Sequence, residues 1–223
     1  MDSLTQSYVH GTSDVPLLGK TISQQFDETA ARHGERDALI VCQQDVRWTY
    51  AKMKREVDAL AAGLFTLGLE PGDRIGIWSP NNSEWAVSQF ASAKAGLILV
   101  NINPAYRLAE LEYALNKVEC KALIAAESFK TSRYLDMIRE LAPEIEDAAP
   151  GALKAGKLPH LQTVIRLGEE KSAGMFNYGD IAPRAGDAER ERLEALQPRL
   201  QFDDAINIQF TSGTTGFPKG ATL

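Results

Sequence analysis

Ten consecutive residues near the end of the chain, Thr211-Ser212-Gly213-Thr214-Thr215-Gly216-Phe217-Pro218-Lys219-Gly220, gather glycines, hydroxyls and one lysine into a single stretch. That mixture suits a polyphosphate. Glycines without a Cβ let backbone N–H groups approach phosphate oxygens, Ser and Thr hydroxyls donate further hydrogen bonds, and lysine adds a mobile positive charge. A glycine-rich hexamer would read equally well as a solvent-exposed turn, but an unbroken run of ten residues narrows that choice. The stretch is not a Walker loop, because Phe217-Pro218 separates Gly216 from Lys219 and no Gly-Lys-Ser/Thr follows. The chain also lacks a GxGxxG dinucleotide fingerprint.

A loop of this kind must be delivered by a rigid element, and Ala205 to Phe210 reads as the strand that does so. Upstream, strand and helix alternate. Arg74 to Trp78 reads as a strand, Asn82-Ser83-Glu84 caps a helix through Ala95, and Gly96 to Ile102 is an apolar run suited to a strand covered on both faces. A helix from Leu108 to Val118 turns Leu111 and Leu115 inward, Lys121 to Ala126 is a further strand, and Tyr134 to Leu141 is a helix that Pro143 stops. This is the pattern of βαβ units, which predicts an α/β fold with a mostly parallel sheet flanked by helices.

Nearer the start, Thr21 caps a helix with Ile22, Phe26 and Ala30 on one face, and Asp37 to Cys42 pairs with Val46-Arg47-Trp48 as a hairpin. The next helix carries a stripe of Met53, Val57, Leu60, Leu64 and Leu67, with Gly68 as its C-terminal cap; such a stripe is core. Trp48 and Trp85 also read as core, and Arg107 and Glu110 as solvated helix charges. Glu144 to Pro159 reads as a surface excursion, Thr163 to Leu167 as a strand, Gly168 to Arg184 as irregular, and Ala188 to Leu196 as a short helix. Residues 1–20 form an N-terminal extension, and 21–223 form one domain.

With 223 residues, 44% hydrophobic and 24% charged, the chain can bury a substantial core. A formal net charge of -6, without a Lys/Arg run, argues against nucleic acid as a partner. The polar N-terminus lacks the basic start and apolar run of a secretory signal, and no apolar stretch is long enough to span a bilayer. A cytoplasmic location follows, with peripheral membrane contact left open. Cys42 and Cys120 lie in apolar, strand-like stretches and are expected as buried free thiols; with three scattered His residues they offer no metal-ligand spacing.

The order Thr-Ser-Gly-Thr-Thr-Gly-x-Pro-Lys-Gly resembles the phosphate-binding signature of the adenylate-forming (AMP-binding) enzymes, the superfamily of acyl-CoA synthetases, adenylation domains and luciferases. Trp48-Thr49-Tyr50, Pro71-Gly72-Asp73-Arg74, Pro80-Asn81-Asn82-Ser83-Glu84-Trp85, Lys94-Ala95-Gly96 and Asn101-Ile102-Asn103-Pro104-Ala105-Tyr106-Arg107 resemble further segments of these enzymes, in the expected order. The Asn-Pro-Ala-Tyr-Arg segment, and Leu141-Ala142-Pro143-Glu144 with its sequel, are most similar to medium- and long-chain fatty acyl-CoA synthetases. The resemblance implies part of the large N-terminal domain of such an enzyme. It assigns ATP phosphate binding to Thr211, Ser212, Gly213, Thr214, Thr215, Gly216 and Lys219, and places the Thr214 hydroxyl near Mg2+.

The implied reaction joins a carboxylic acid to AMP from ATP, releasing pyrophosphate, and then transfers the acyl group to the thiol of coenzyme A. A non-catalytic phosphate- or nucleotide-binding module is the alternative. In the family, the segments for adenine, ribose, the acidic Mg2+ ligand, the acyl pocket and the adenylation lysine lie beyond the phosphate loop, so this stretch contains no catalytic residue. Ala221-Thr222-Leu223 reads as the start of a strand without its continuation, so the loop is expected to lack a downstream anchor. The 223 residues alone are therefore expected to be catalytically silent. Incubation with ATP, labelled pyrophosphate and a fatty acid should give no acyl-dependent exchange of label into ATP; measurable exchange overturns this expectation.

Overall fold

The computed structural model describes residues 14–211 and 218–223. Helix α1 (Ile22–His33) starts at Thr21, whose Oγ1 accepts the Gln24 N–H at 3.1 Å while Gln24 Oε1 accepts the Thr21 N–H at 3.0 Å. This reciprocal pair satisfies two donors that a helix start leaves open. Phe26 and Ala30 face the core, but Ile22 is exposed, so the inward stripe begins one turn later than the sequence pattern suggests. Strands β1 (Asp37–Val41) and β2 (Val46–Thr49) form the expected antiparallel hairpin.

The turn between them is a tight 3-10 segment, Cys42–Gln44, closed by Asp45 at φ +52°. It is more than a connection. Gln44 Oε1 accepts the Ser83 N–H at 2.6 Å, and Gln43 Nε2 donates to the Asn81 carbonyl at 3.0 Å, which fastens the hairpin to the start of a later helix. Because the strand stops at Val41, Cys42 opens the turn and is exposed, contrary to the expectation of two buried thiols. Cys120 is buried, and loss of hydration pushes its thiol up to about 12, so it stays protonated and inert.

Helix α2 (Tyr50–Phe65) buries Met53, Val57, Leu60 and Leu64 as the stripe requires. Leu67 lies beyond its end and is half-buried, and Gly68 takes φ +73° to turn the chain away. There follow β3 (Arg74–Trp78), α3 (Ser83–Lys94), β4 (Ile98–Asn101), α4 (Leu108–Lys117) and β5 (Ala122–Ala125). A small hairpin, β6 (Ser128–Phe129) and β7 (Ser132–Arg133), leads into α5 (Tyr134–Leu141). The remainder is β8 (Thr163–Arg166), β9 (Met175–Asn177), α6 (Tyr178–Ile181), α7 (Asp187–Leu196), β10 (Asn207–Thr211) and β11 (Lys219–Thr222).

The main sheet has the order β11-β10-β4-β3-β5-β8-β9, with every neighbouring pair parallel except β10 and β11. The connections β3 to β4 and β4 to β5 cross the sheet in opposite directions. Right-handed crossovers therefore place α3 and α4 on opposite faces, which is the expected helix-flanked α/β architecture. Ile75, Ile77, Leu99, Val100 and Leu123 are accordingly sealed from solvent on both faces.

Two stretches differ from the sequence reading. Glu144 to Pro159 is not a surface excursion, since Ile145, Leu153, Ala155 and Leu158 are buried and the Leu153 N–H bonds the Gln162 carbonyl at 3.1 Å. Gly168 to Arg184 is not irregular: it contains the parallel edge strand β9 and the one-turn helix α6. Both are too short to show a hydrophobic period.

The helices on the α3 face are joined by charge. Lys94, 4% exposed, reaches Asp27 on α1 at 2.8 Å and Asp58 on α2 at 2.5 Å, while Lys54 reaches the same two carboxylates at 2.9 and 2.6 Å. Burial alone would raise the Asp27 carboxyl, but hydrogen bonds from Lys94 and Lys54, with their charges, outweigh it and hold the group below its ordinary value. A depressed folded-state value means that the ionised carboxylate stabilises the fold above about pH 4, and that this contribution drains away as pH falls through the lowered value. The double substitution Asp27→Asn with Asp58→Asn leaves the Lys94 ammonium buried without its carboxylates and should cost about 3 kcal/mol in urea unfolding at pH 7. The loss should shrink as the wild type is acidified below about pH 4.

Candidate functional site

All the loops that could meet a ligand at one end of the sheet follow the C-terminal ends of parallel strands, the usual ligand end of an open α/β sheet. Strand β10 runs parallel to β4, with Asn207, Ile208 and Gln209 beside Leu99, Val100 and Asn101, and delivers Thr211 to that end. Residues 212–217 follow, so Ser212, Gly213, Thr214, Thr215 and Gly216 lie outside the described residues. The chain re-enters at Pro218 and runs back along β10 as β11.

Four register pairs join the two strands, from Thr211 with Lys219 to Ile208 with Thr222, and Leu223 exchanges backbone hydrogen bonds with Asn207. The expectation that the loop lacks a downstream anchor is therefore wrong. Lys219 to Thr222 are polar or small and show no apolar alternation; they form a strand because β10 offers them an unpaired edge. Side chains alternate along a strand, so Thr211 and Lys219, a cross-strand pair, project from one face at the mouth of the loop. The Thr211 hydroxyl lies 3.4 Å from the Lys219 carbonyl, and the Lys219 side chain is exposed.

The opposite face carries Phe210 and Gly220. A Cβ on Gly220 would meet Ile208 Cγ2 at 3.2 Å and the Phe210 ring at 3.6 Å, so Phe210 lies over the bare glycine. Tyr113 of α4 stands edge-on to the same ring at 6.5 Å, and its hydroxyl donates to the Pro218 carbonyl at 3.2 Å. Tyr113 is two residues from the inward-facing Leu111 and Leu115, off the buried stripe. Its only sequence signal is an aromatic ring on a face otherwise polar.

The start of α4 is itself held from the core. Trp78 and Tyr134 stack at 3.8 Å; Trp78 Nε1 donates to the Asn103 carbonyl at 3.1 Å and the Tyr134 hydroxyl to the Pro104 carbonyl at 2.7 Å. Burial pushes the Tyr134 phenol up to about 12, which keeps it a donor. Glu110 accepts the Arg107 N–H at 3.1 Å and so caps α4 rather than serving only as a solvated charge.

A second polar cleft of about 530 Å³ opens at the same end of the sheet, beyond β5 and β8. Lys130, Arg133, Arg139, Arg166 and Lys171 line it together with Glu127, Asp136 and Glu170. Arg133 and Arg139 are paired with Asp136, and Lys171 with Asp180. Arg166 is buried and meets Glu127 and Glu170 only at 3.8 and 3.7 Å. Lys130 sits at the tip of the β6–β7 hairpin with φ +54°, which is uncommon for a residue other than glycine; its ammonium lies 5.3 Å over the Phe129 ring, with no carboxylate within ion-pair distance among the described residues.

Among the described residues no three His, Cys, Asp or Glu side chains are grouped to hold a metal ion, and no helix is long and apolar enough to cross a membrane. The hydroxyl-rich stretch 212–217 thus lies in sequence between Thr211 and Pro218, where β10 and β11 meet at the C-terminal end of a parallel strand. A profile of the AMP-binding enzyme family matches residues 26–223, and the chain belongs to that family. It is 48% identical over 220 residues to the human (Homo sapiens) medium-chain acyl-CoA ligase ACSF2, mitochondrial, covering 97% of this chain and 35% of the relative. The same-named zebrafish protein (Danio rerio) is 47% identical over 221 residues, covering 99% of this chain and 36% of the relative.

The chain thus spans about a third of the length of the curated relatives it matches. Both are named mitochondrial, in contrast with the cytoplasmic location expected from the polar N-terminal residues. Among solved structures, an anthranilate CoA ligase, AuaEII, in complex with anthranoyl-AMP superposes with a TM-score of 0.75 at 23% identity, covering 94% of this chain and 35% of that one. A luciferase-like enzyme from the mealworm Zophobas morio gives 0.72 at 20% identity, covering 96% and 45%. These two matches establish the fold.

Proposed function

We propose that this chain is the phosphate-binding part of an AMP-forming acyl-CoA ligase acting on a medium- or long-chain fatty acid, with 21–223 belonging to its large N-terminal domain. The observation that carries the reading is the hairpin of β10 and β11, which sets Thr211 and Lys219 on one face at the two ends of the six-residue stretch 212–217. In this reading Thr211, Ser212, Gly213, Thr214, Thr215, Gly216 and Lys219 bind the β- and γ-phosphates of ATP. The acid's carboxylate attacks the α-phosphorus, the bond to the bridging oxygen breaks, and pyrophosphate leaves with the charge that Lys219 and the loop donors offset.

Mg2+ would accompany the triphosphate and offset its charge, and Thr214 is the residue whose hydroxyl would help hold it. The described residues form no carboxylate cluster that would hold it without phosphate oxygens. The names of the ACSF2 relatives, which specify medium-chain acyl-CoA ligases, support the substrate class and coenzyme A as acyl acceptor. Lys219→Ala should weaken magnesium pyrophosphate binding to this chain roughly tenfold to a hundredfold by calorimetry, the range for losing a charged hydrogen bond. Unchanged affinity would count against the loop assignment.

Coenzyme A brings phosphates of its own, and the cleft beyond β5 and β8 supplies cations at the same end of the sheet. Residues held in sparsely populated backbone conformations cluster at ligand sites, and Lys130, exposed at φ +54°, carries its ammonium 5.3 Å over the Phe129 ring with no carboxylate partner among the described residues. We assign the 3′-phosphate to this cleft. Lys130→Ala should weaken coenzyme A binding about tenfold and leave dephospho-coenzyme A binding within about twofold, by competition titration. An equal loss for both ligands would separate Lys130 from the 3′-phosphate.

A further inference from the structure

We propose that Tyr113 is a positioning residue for Lys219: its hydroxyl sets the return limb from which Lys219 reaches the ligand. The inference rests on the phosphate-binding reading given above. Pro218 is the first residue outside the β10–β11 ladder, whose last pair is Thr211 with Lys219. Among the described residues no strand addresses its carbonyl, and proline contributes no N–H of its own. Tyr113 takes that carbonyl at 3.2 Å from a helix on the far side of the hairpin from the Lys219 side chain. The two peptide groups flanking Lys219 are thus held from two directions, Pro218 by α4 and the Lys219 carbonyl by Thr211 across the ladder.

The ring adds a second constraint. Phe210 lies between Gly220 beneath it and Tyr113 at its edge, so a single aromatic contact ties α4 to both limbs of the hairpin. A Cβ at 220 would press on Ile208 Cγ2 at 3.2 Å and make an ordinary contact with the Phe210 ring at 3.6 Å, so the glycine lets the ring lie close across the ladder. Helix α4 is in turn fixed at its start by the Asn103-Pro104 turn, which Trp78 and Tyr134 hold through its carbonyls. The Lys219 side chain itself is exposed, while its backbone is held by the ladder to β10 and by the Tyr113 bond at Pro218. A mobile ammonium on a fixed stem suits a charge that must meet a departing pyrophosphate and then release it.

The test is a double-mutant cycle on this chain with magnesium pyrophosphate as the probe. Tyr113→Phe keeps the ring against Phe210 and deletes only the hydroxyl, and a cooperative thermal transition confirms that it folds. It should weaken binding about threefold to tenfold, the range for one lost hydrogen bond. In a Lys219→Ala background the same change should cost less than about twofold, because the group it positions is gone. A purely structural hydroxyl would lower the melting temperature and add independently to Lys219→Ala; additive losses, or a Tyr113→Phe affinity equal to wild type, would refute the assignment. If wild type binds and Lys219→Ala weakens binding while Tyr113→Phe does not, only the role of Tyr113 fails; if wild type shows no binding, the phosphate-loop reading fails and this inference with it.

Discussion

The stacked pair of Trp78 and Tyr134 is the constraint on which the ligand end of this sheet depends. Both rings are fully buried, and each spends its polar atom on a carbonyl of the turn that follows β4. An aromatic pair adds about 0.5–1.5 kcal/mol beyond its buried area, and each buried donor left without its acceptor would cost about 1–3 kcal/mol. The turn is therefore held where the rings can be satisfied. Since α4 begins four residues after Pro104 and carries Tyr113, the placement of the β10–β11 hairpin traces back to two rings in the core.

The opposite face is organised by electrostatics rather than by aromatic stacking. Lys94 lies at the end of α3, buried among α1 and α2, where its ammonium is tolerable only because Asp27 and Asp58 converge on it. Gln197, just after α7, adds its amide to the Lys94 carbonyl at 2.9 Å and accepts the Ser23 hydroxyl at 2.6 Å. Four helices thus meet at one polar node, while the apolar sheet behind α3 supplies the bulk of the burial. Such a node favours one arrangement of helices over others, because a shifted helix would strand a buried charge.

The candidate site combines a rigid frame with polar groups facing outward. Helix α4 supports the hairpin on one side, and the other side leaves Thr211 and Lys219 exposed. The cleft beyond β5 and β8 follows the same plan: Arg166 is buried at a strand end and bonds Ser172 at 2.9 Å, while Lys130 stands on a turn in a left-handed conformation. In both places a fixed backbone carries an exposed lysine. This arrangement costs little ordering of the charge before a ligand arrives, and the frame limits where the charge can go.

Much of this was legible in the residues. The period of Met53, Val57, Leu60 and Leu64 marks α2 because those positions lie on one helical face, and the apolar run at Leu99 and Val100 marks a strand that both faces cover. The Ser, Thr, Gly and Lys composition of 211–220 is what carries the phosphate-binding proposal, because phosphate oxygens demand donors and positive charge whatever the fold. What depends on distant partners was not legible. Nothing local marks Lys94 as buried until Asp27 and Asp58 arrive beside it, Cys42 reads as part of a strand until the turn ends that strand, and Ala221-Thr222-Leu223 reads as a strand start without showing that β10 is the edge that anchors it. Local sequence determines periods, caps and the chemistry of a loop, whereas a hydrogen bond such as that from Tyr113 to Pro218, 105 residues apart, exists only once the chain has packed.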